Sequence, residues 1–138
     1  MDKTEAKIRL SFHSGRNSHI DDPRWENGFL GSLRPFRGDL HQENFHDIMA
    51  CLQALAEDLS APLLDREVIA DLMNIIHLTR AWASPEGMLG RNHLLSADQT
   101  KHLLAWIDII EDCLMYLLDD AAAEAFAAYE DYLNDDYF

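Results

Sequence analysis

The chain is poor in the residues that staple, span or catalyse. Only two of its 138 residues are cysteine, Cys51 and Cys113. Neither sits in a CxxC or zinc-ribbon spacing, which argues against a disulfide framework and a structural zinc site. Long hydrophobic runs are missing: the longest is Cys113 to Leu118, far short of the ~20 apolar residues that cross a bilayer. Met1 to Ile20 holds no apolar stretch of the length a signal peptide's central segment needs, so a cytoplasmic protein without a membrane span is expected. HExxH is absent, and Gly28-Phe29-Leu30-Gly31 is neither GxGxxG nor a P-loop. Lys and Arg do not occur after Lys101.

What is present is enough for a core. Hydrophobic residues make up 48% of the chain, a content that offsets the conformational entropy keeping polar chains unfolded. The length corresponds to one domain, residues 1–138, burying roughly two thirds of its unfolded surface. The formal charge of −14 repels phosphate over most of the surface, so neither nucleic acid nor an anionic membrane is an expected partner. This charge is segregated. Residues 1–40 carry seven Lys or Arg against six acids (+1), residues 41–101 four against nine (−5), and residues 102–138 none against ten (−10). Salt adaptation would spread the acids evenly; segregation points to a local role.

The fold class expected is all-α, a small bundle of three to four helices with an extended, loop-rich segment, 1–40, packed on it. In that segment Ile8, Leu10 and Phe12 alternate with polar residues, as in a short strand. From His13 to Asp39, glycines and prolines interleave with Trp25, Phe29, Leu30, Leu33 and Phe36, which suits a packed loop. A first helix, 41–60, is predicted from Phe45, Ile48, Met49, Leu52, Leu55 and Leu59, with Pro62 beyond its end. A second, 65–83, starts at the N-cap Asp65 and shows Val68, Ile69, Leu72, Ile75 and Ile76 on one face. The third, 96–119, opens with Ser96 and Gln99 in capping-box spacing and is apolar over most of its circumference, which makes it the central helix. A fourth, 120–134, follows a break expected at Asp119-Asp120.

Candidate chemistry is sparse. His41, Glu43, His46 and Asp47 cluster at the start of the first predicted helix, and Glu43-x-x-His46 has the spacing of di-iron bundles. No second copy exists, so no metal and no cofactor is assigned. Cys51 and Cys113 read as buried thiols and His77 as a solvated side chain. Glu111, at the edge of an apolar arc, reads either as a partly desolvated acid with a cationic partner, for which an Arg of the amino-terminal loop is the natural candidate, or as a rim acid reaching water.

Two stretches are candidates for partner binding. Arg24, Trp25, Phe29, Arg34, Phe36 and Arg37 combine the residue types enriched at interface hot spots; they read equally as a structural cap with Arg34 and Arg37 paired to acidic helices. Asp131, Tyr132, Asp135 and Asp136 lie in a tail that alternates acids with aromatics, suited to a basic surface or to a solvated helix end. These features favour a non-enzymatic acidic protein-interaction module with a basic protein partner, in its sharpest form an immunity or antitoxin-like bacterial inhibitor. The alternatives are a homodimer joining basic loop to acidic helix, and a small metal protein or enzyme built on His41, Glu43, His46 and Asp47.

Overall fold

The computed structural model describes residues 1–138 and is all-helical, a small helical bundle. In chain order the elements are α1 Lys3–His13, α2 Pro23–Glu26, α3 Gln42–Leu59, α4 Arg66–Ala83, α5 Met88–Arg91, α6 Ala97–Leu118, α7 Ala122–Ala125 and α8 Ala127–Leu133. No helix is long and apolar enough to cross a membrane.

The first forty residues depart from expectation. Where a strand and irregular chain were expected, α1 forms, started by the Asp2 carboxylate, which accepts a 2.8 Å hydrogen bond from the Glu5 N–H. Ala6, Leu10 and His13 face the core at helical spacing, Phe12 is buried at the edge of that face, and Ile8 points outward at 38% exposure. Five alternating residues fit both periods. The cap and the tertiary partners of α1 decide for the helix.

Beyond α1 the chain doubles back and is pinned to its end. The Leu30 N–H donates to the His13 carbonyl at 3.0 Å, and the Ser32 N–H donates to Gly28 at 2.9 Å. Gly31 is required here, because a Cβ would collide with the Trp25 carbonyl oxygen. A single turn, α2, has Asp22 as N-cap and Pro23 at its first position.

α3, α4 and α6 follow the sequence pattern to within a residue at each end. The Asp65 side chain accepts from the Glu67 N–H, and Ser96 with Gln99 closes a reciprocal capping box. α6 is central: it contacts α3, α4, α7 and α8 and buries Leu103, Trp106, Ile107, Ile109, Ile110 and Leu117 among others. The Phe45 ring stacks on Trp106 with centroids 5.5 Å apart, and Tyr129 meets Phe45 edge-on at the same separation. The break after α6 falls at the Asp pair, where Asp120 takes the left-handed conformation (φ 54°) that Asp tolerates better than most residues. The expected last helix is two pieces, α7 and α8, divided at Phe126.

The helical reading of α1 separates two substitutions that a strand with one apolar face would treat alike. Leu10→Ala is expected to cost about 2–5 kcal/mol in urea unfolding, the range for a buried Leu. Ile8→Ala should cost under about 1 kcal/mol, as exposed positions do.

Candidate functional site

The arginine and aromatic loop divides into anchors and walls. Phe29 is 3% exposed and lies edge-on to Trp106 with centroids 6.5 Å apart, so this candidate contact residue is part of the core. Arg24 is held at home: its Nη2 pairs with Asp22 at 3.0 Å, and its guanidinium lies 4.3 Å over the Phe12 ring. Phe36 is half-buried against the core and bridges to Leu33 across a cis Arg34–Pro35 bond. Arg34 and Arg37 do not pair with the acidic helices, contrary to the structural-cap expectation. Both are exposed and take part in none of the chain's ion pairs. The Arg34 guanidinium instead lies 5.9 Å over Trp82 of α4. These two arginines, with Trp25, Asn27, Ser32 and His41, line a cavity of about 520 Å³. Trp25 is half-buried, and its indole N–H is buried without an acceptor.

Beside it lies a polar cluster that the sequence reading missed. His13 and Arg9 of α1 converge on Asp47 of α3, with Nε2 to Oδ2 at 2.8 Å and Nη1 to Oδ1 at 2.7 Å. The other His13 nitrogen, Nδ1, accepts the Phe29 N–H at 3.1 Å. That bond fixes the tautomer: the proton is on Nε2 and is donated to Asp47. With both nitrogens engaged, His13 has no lone pair free to act as a base, and the dyad positions the loop. Asp47, His13, Arg9, Arg24 and Asn44 border a cavity of about 340 Å³ that shares Asn27 with the first. At the next residue, Ser14, the buried Asp71 carboxylate of α4 accepts from the hydroxyl at 2.8 Å, and it also accepts from Arg16 at 2.9 Å.

The structure does not bring His41, Glu43, His46 and Asp47 together as one set of ligands. His46 Nε2 accepts the Gln42 side-chain N–H at 2.9 Å, which leaves its Nδ1–H to the Tyr129 hydroxyl at 2.7 Å; His41 approaches Glu43 at 3.3 Å, and Asp47 turns to α1. Nowhere do three or more His, Cys, Asp or Glu side chains come together in a way that could hold a metal ion. Both cysteines are buried, and burial pushes their thiols up to about 12, the opposite of an activated nucleophile. His77 is exposed, as expected.

The carboxy-terminal third is held by its aromatics and faces solvent with its acids. Tyr132, a candidate contact residue, is an anchor: its hydroxyl accepts the Trp106 Nε1–H at 2.8 Å. Asp131, Asp135 and Asp136 are exposed and have no cationic partner. Glu111 has its cation, but from α4 and not from the loop: Arg80 binds it through two hydrogen bonds of 2.7 and 2.8 Å and reaches Asp108 at 2.8 Å. The facing helices α4 and α6 place these groups together at the edge of the surface, where both are half-buried, as the position beside the apolar arc implied. The Arg80 contact holds the Glu111 carboxyl below its usual range. Of the ten acids after Lys101, Asp108 and Glu111 are thus paired and eight are not: Asp112, Asp119, Asp120, Glu124, Glu130, Asp131, Asp135 and Asp136. On the last turns of α6, Met115, Tyr116 and Leu118 are 59%, 43% and 45% exposed.

Comparison with family models, with curated proteins and with solved structures finds no match for the chain.

The Asp47 cluster carries a pH signature. The His13 hydrogen bond, against the opposing effect of burial and with help from Arg9, lowers the Asp47 carboxyl from its ordinary 3.8. Its pairing therefore contributes stability that is present above the unfolded-state value and lost as pH falls through the lowered one. Asp71 has the opposite sign: burial raises it, so its ionisation costs stability, and acidification through the raised value relieves that cost. Asp47→Asn is expected to lose about 1–3 kcal/mol near pH 7, with the deficit shrinking towards zero well below pH 3.8. Urea unfolding across pH checks this, and a constant deficit down to pH 2 would contradict it.

Proposed function

We propose that the chain is a non-enzymatic interaction module that holds a basic protein partner on the acidic face formed by its last third. The observation that carries this reading is the unequal use of charge. Six of the eleven bases, Lys3, Lys7, Arg9, Arg16, Arg24 and Arg80, are in ion pairs with Asp or Glu, whereas eight of the ten acids of the last third are exposed and in no ion pair, in a segment that also exposes Met115, Tyr116 and Leu118. Carboxylates of one sign steer a basic partner and reject acidic ones, and exposed apolar side chains beside them supply contact area. The fixed tautomer of His13 and the buried, protonated thiols favour a binding role over a catalytic one. Inhibition of a basic enzyme by covering its cleft, as immunity proteins do, is the sharpest form of this reading.

The test separates a face from mere net charge. Asp112→Asn, Asp119→Asn, Asp120→Asn and Glu124→Gln together remove four charges from the face. Asp21→Asn, Asp39→Asn, Glu57→Gln and Glu86→Gln remove four exposed, unpaired acids elsewhere. With a twenty-residue amphipathic Lys/Leu peptide as probe, titrated in low and high salt, the first variant should bind roughly tenfold more weakly than the second and with a shallower salt dependence. Equal loss in the two variants would remove the support for a dedicated face.

A further inference from the structure

We propose that the cavity beneath the arginine loop is a binding site for a small organic anion, a molecule carrying a phosphate or carboxylate group on an apolar body. This site is independent of the acidic face. Four of the chain's eight arginines, Arg34, Arg37, Arg66 and Arg91, take part in no ion pair, and two of these, Arg34 and Arg37, line one cavity. Guanidinium groups match the oxygens of carboxylate and phosphate through parallel N–H donors, which neither water nor a surface lysine reproduces in fixed geometry.

The walls suit a molecule more than an ion. At about 520 Å³ the cavity has the size of a metabolite pocket. Trp25, Ile20 and Pro35 give it apolar surface, while Asn27, Ser32 and His41 add polar groups. Glu26 also lines it, so two guanidinium charges face one carboxylate; the remaining charge fits a mono- or dianion and disfavours a long polyanion such as nucleic acid.

The site is also built in advance of any ligand. The Phe29 and Leu30 amides hold the loop to His13, the Asn44 side chain donates to the Asn27 carbonyl at 2.9 Å, and Gly31 lets the backbone close on Trp25. Arg34 is steadied over Trp82. A fixed frame around unpaired guanidinium groups is the arrangement that keeps the ordering cost of binding low.

Phenyl phosphate, benzoate and inorganic phosphate, titrated by calorimetry against sodium chloride at matched ionic strength, test the proposal and separate the phosphate source from the carboxylate source. The expected result is saturable one-to-one binding of phenyl phosphate or benzoate, weakened about tenfold or more in Arg34→Gln and in Arg37→Gln, and unchanged in Arg66→Gln and Arg91→Gln, which lie outside the cavity. Among the indole N–H resonances, those of Trp25 and Trp82 should shift on binding, while that of Trp106, in the core, stays in place. Circular dichroism of each variant confirms that it is folded. Absence of saturable binding, or equal weakening in the Arg66 and Arg91 variants, overturns the proposal. A wild-type dimer that Arg37→Gln dissociates also overturns it, since the cavity would then hold carboxylates of a second copy of the chain.

Discussion

His13 stands where three parts of the molecule meet. Its Nε2–H reaches Asp47 on α3, its Nδ1 accepts the Phe29 amide, and its backbone carbonyl accepts the Leu30 amide. The ring is almost fully buried, so removing any partner strands a polar atom away from water at about 1–3 kcal/mol. Docking α1 on α3 and closing the loop are for this reason one event. Phe29 reaches Trp106 only if its amide is fixed there, and the arginine cavity exists only because the chain between Gly28 and Ser32 is fastened at that point.

The parts legible in the sequence are those whose signals are local. α3, α4 and α6 carry four to six turns of apolar periodicity with caps a few residues away, and both period and cap can be read along the chain. α1 was not legible because five alternating residues satisfy two periods, and its polar residues are satisfied by Asp47, which lies 34 residues beyond His13. The fate of Phe29 was hidden for the same reason. An aromatic between glycines suits a surface loop as well as a core plug, and only the His13 anchor, distant in sequence, distinguishes them. For Glu111 a pairing with arginine was one of two readings that its place beside apolar neighbours allowed, and it is the one the structure shows. The donor was not legible, since nothing local indicates that α4 runs against α6 with Arg80 at the same level.

The charge partition also takes on a structural meaning. Lys3 pairs with Asp58, Lys7 with Asp65, Arg9 with Asp47, and Arg16 with Glu67 and Asp71. All of these join the first sixteen residues to α3 and α4 or the turn between them. The nearly neutral amino-terminal segment is thus a set of cations laid across the acidic middle of the chain. Exposed pairs of this kind contribute little singly, but they neutralise what would otherwise be self-repulsion. The last third has no such cover apart from Arg80.

An uncovered acidic segment should loosen under its own repulsion unless something other than charge holds it. Here the holding contacts are aromatic and short: Tyr129 to His46 at 2.7 Å, Trp106 to Tyr132 at 2.8 Å, and the rings of Tyr129 and Tyr132 against Phe45. Salt at physiological strength screens surface charges beyond about 8 Å, which weakens both the repulsion among these acids and their pull on anything basic. It leaves buried ring contacts and their hydrogen bonds nearly untouched. The acids are consequently displayed on a surface whose shape does not depend on ionic strength, so rising salt weakens whatever this face attracts before it disturbs the face itself.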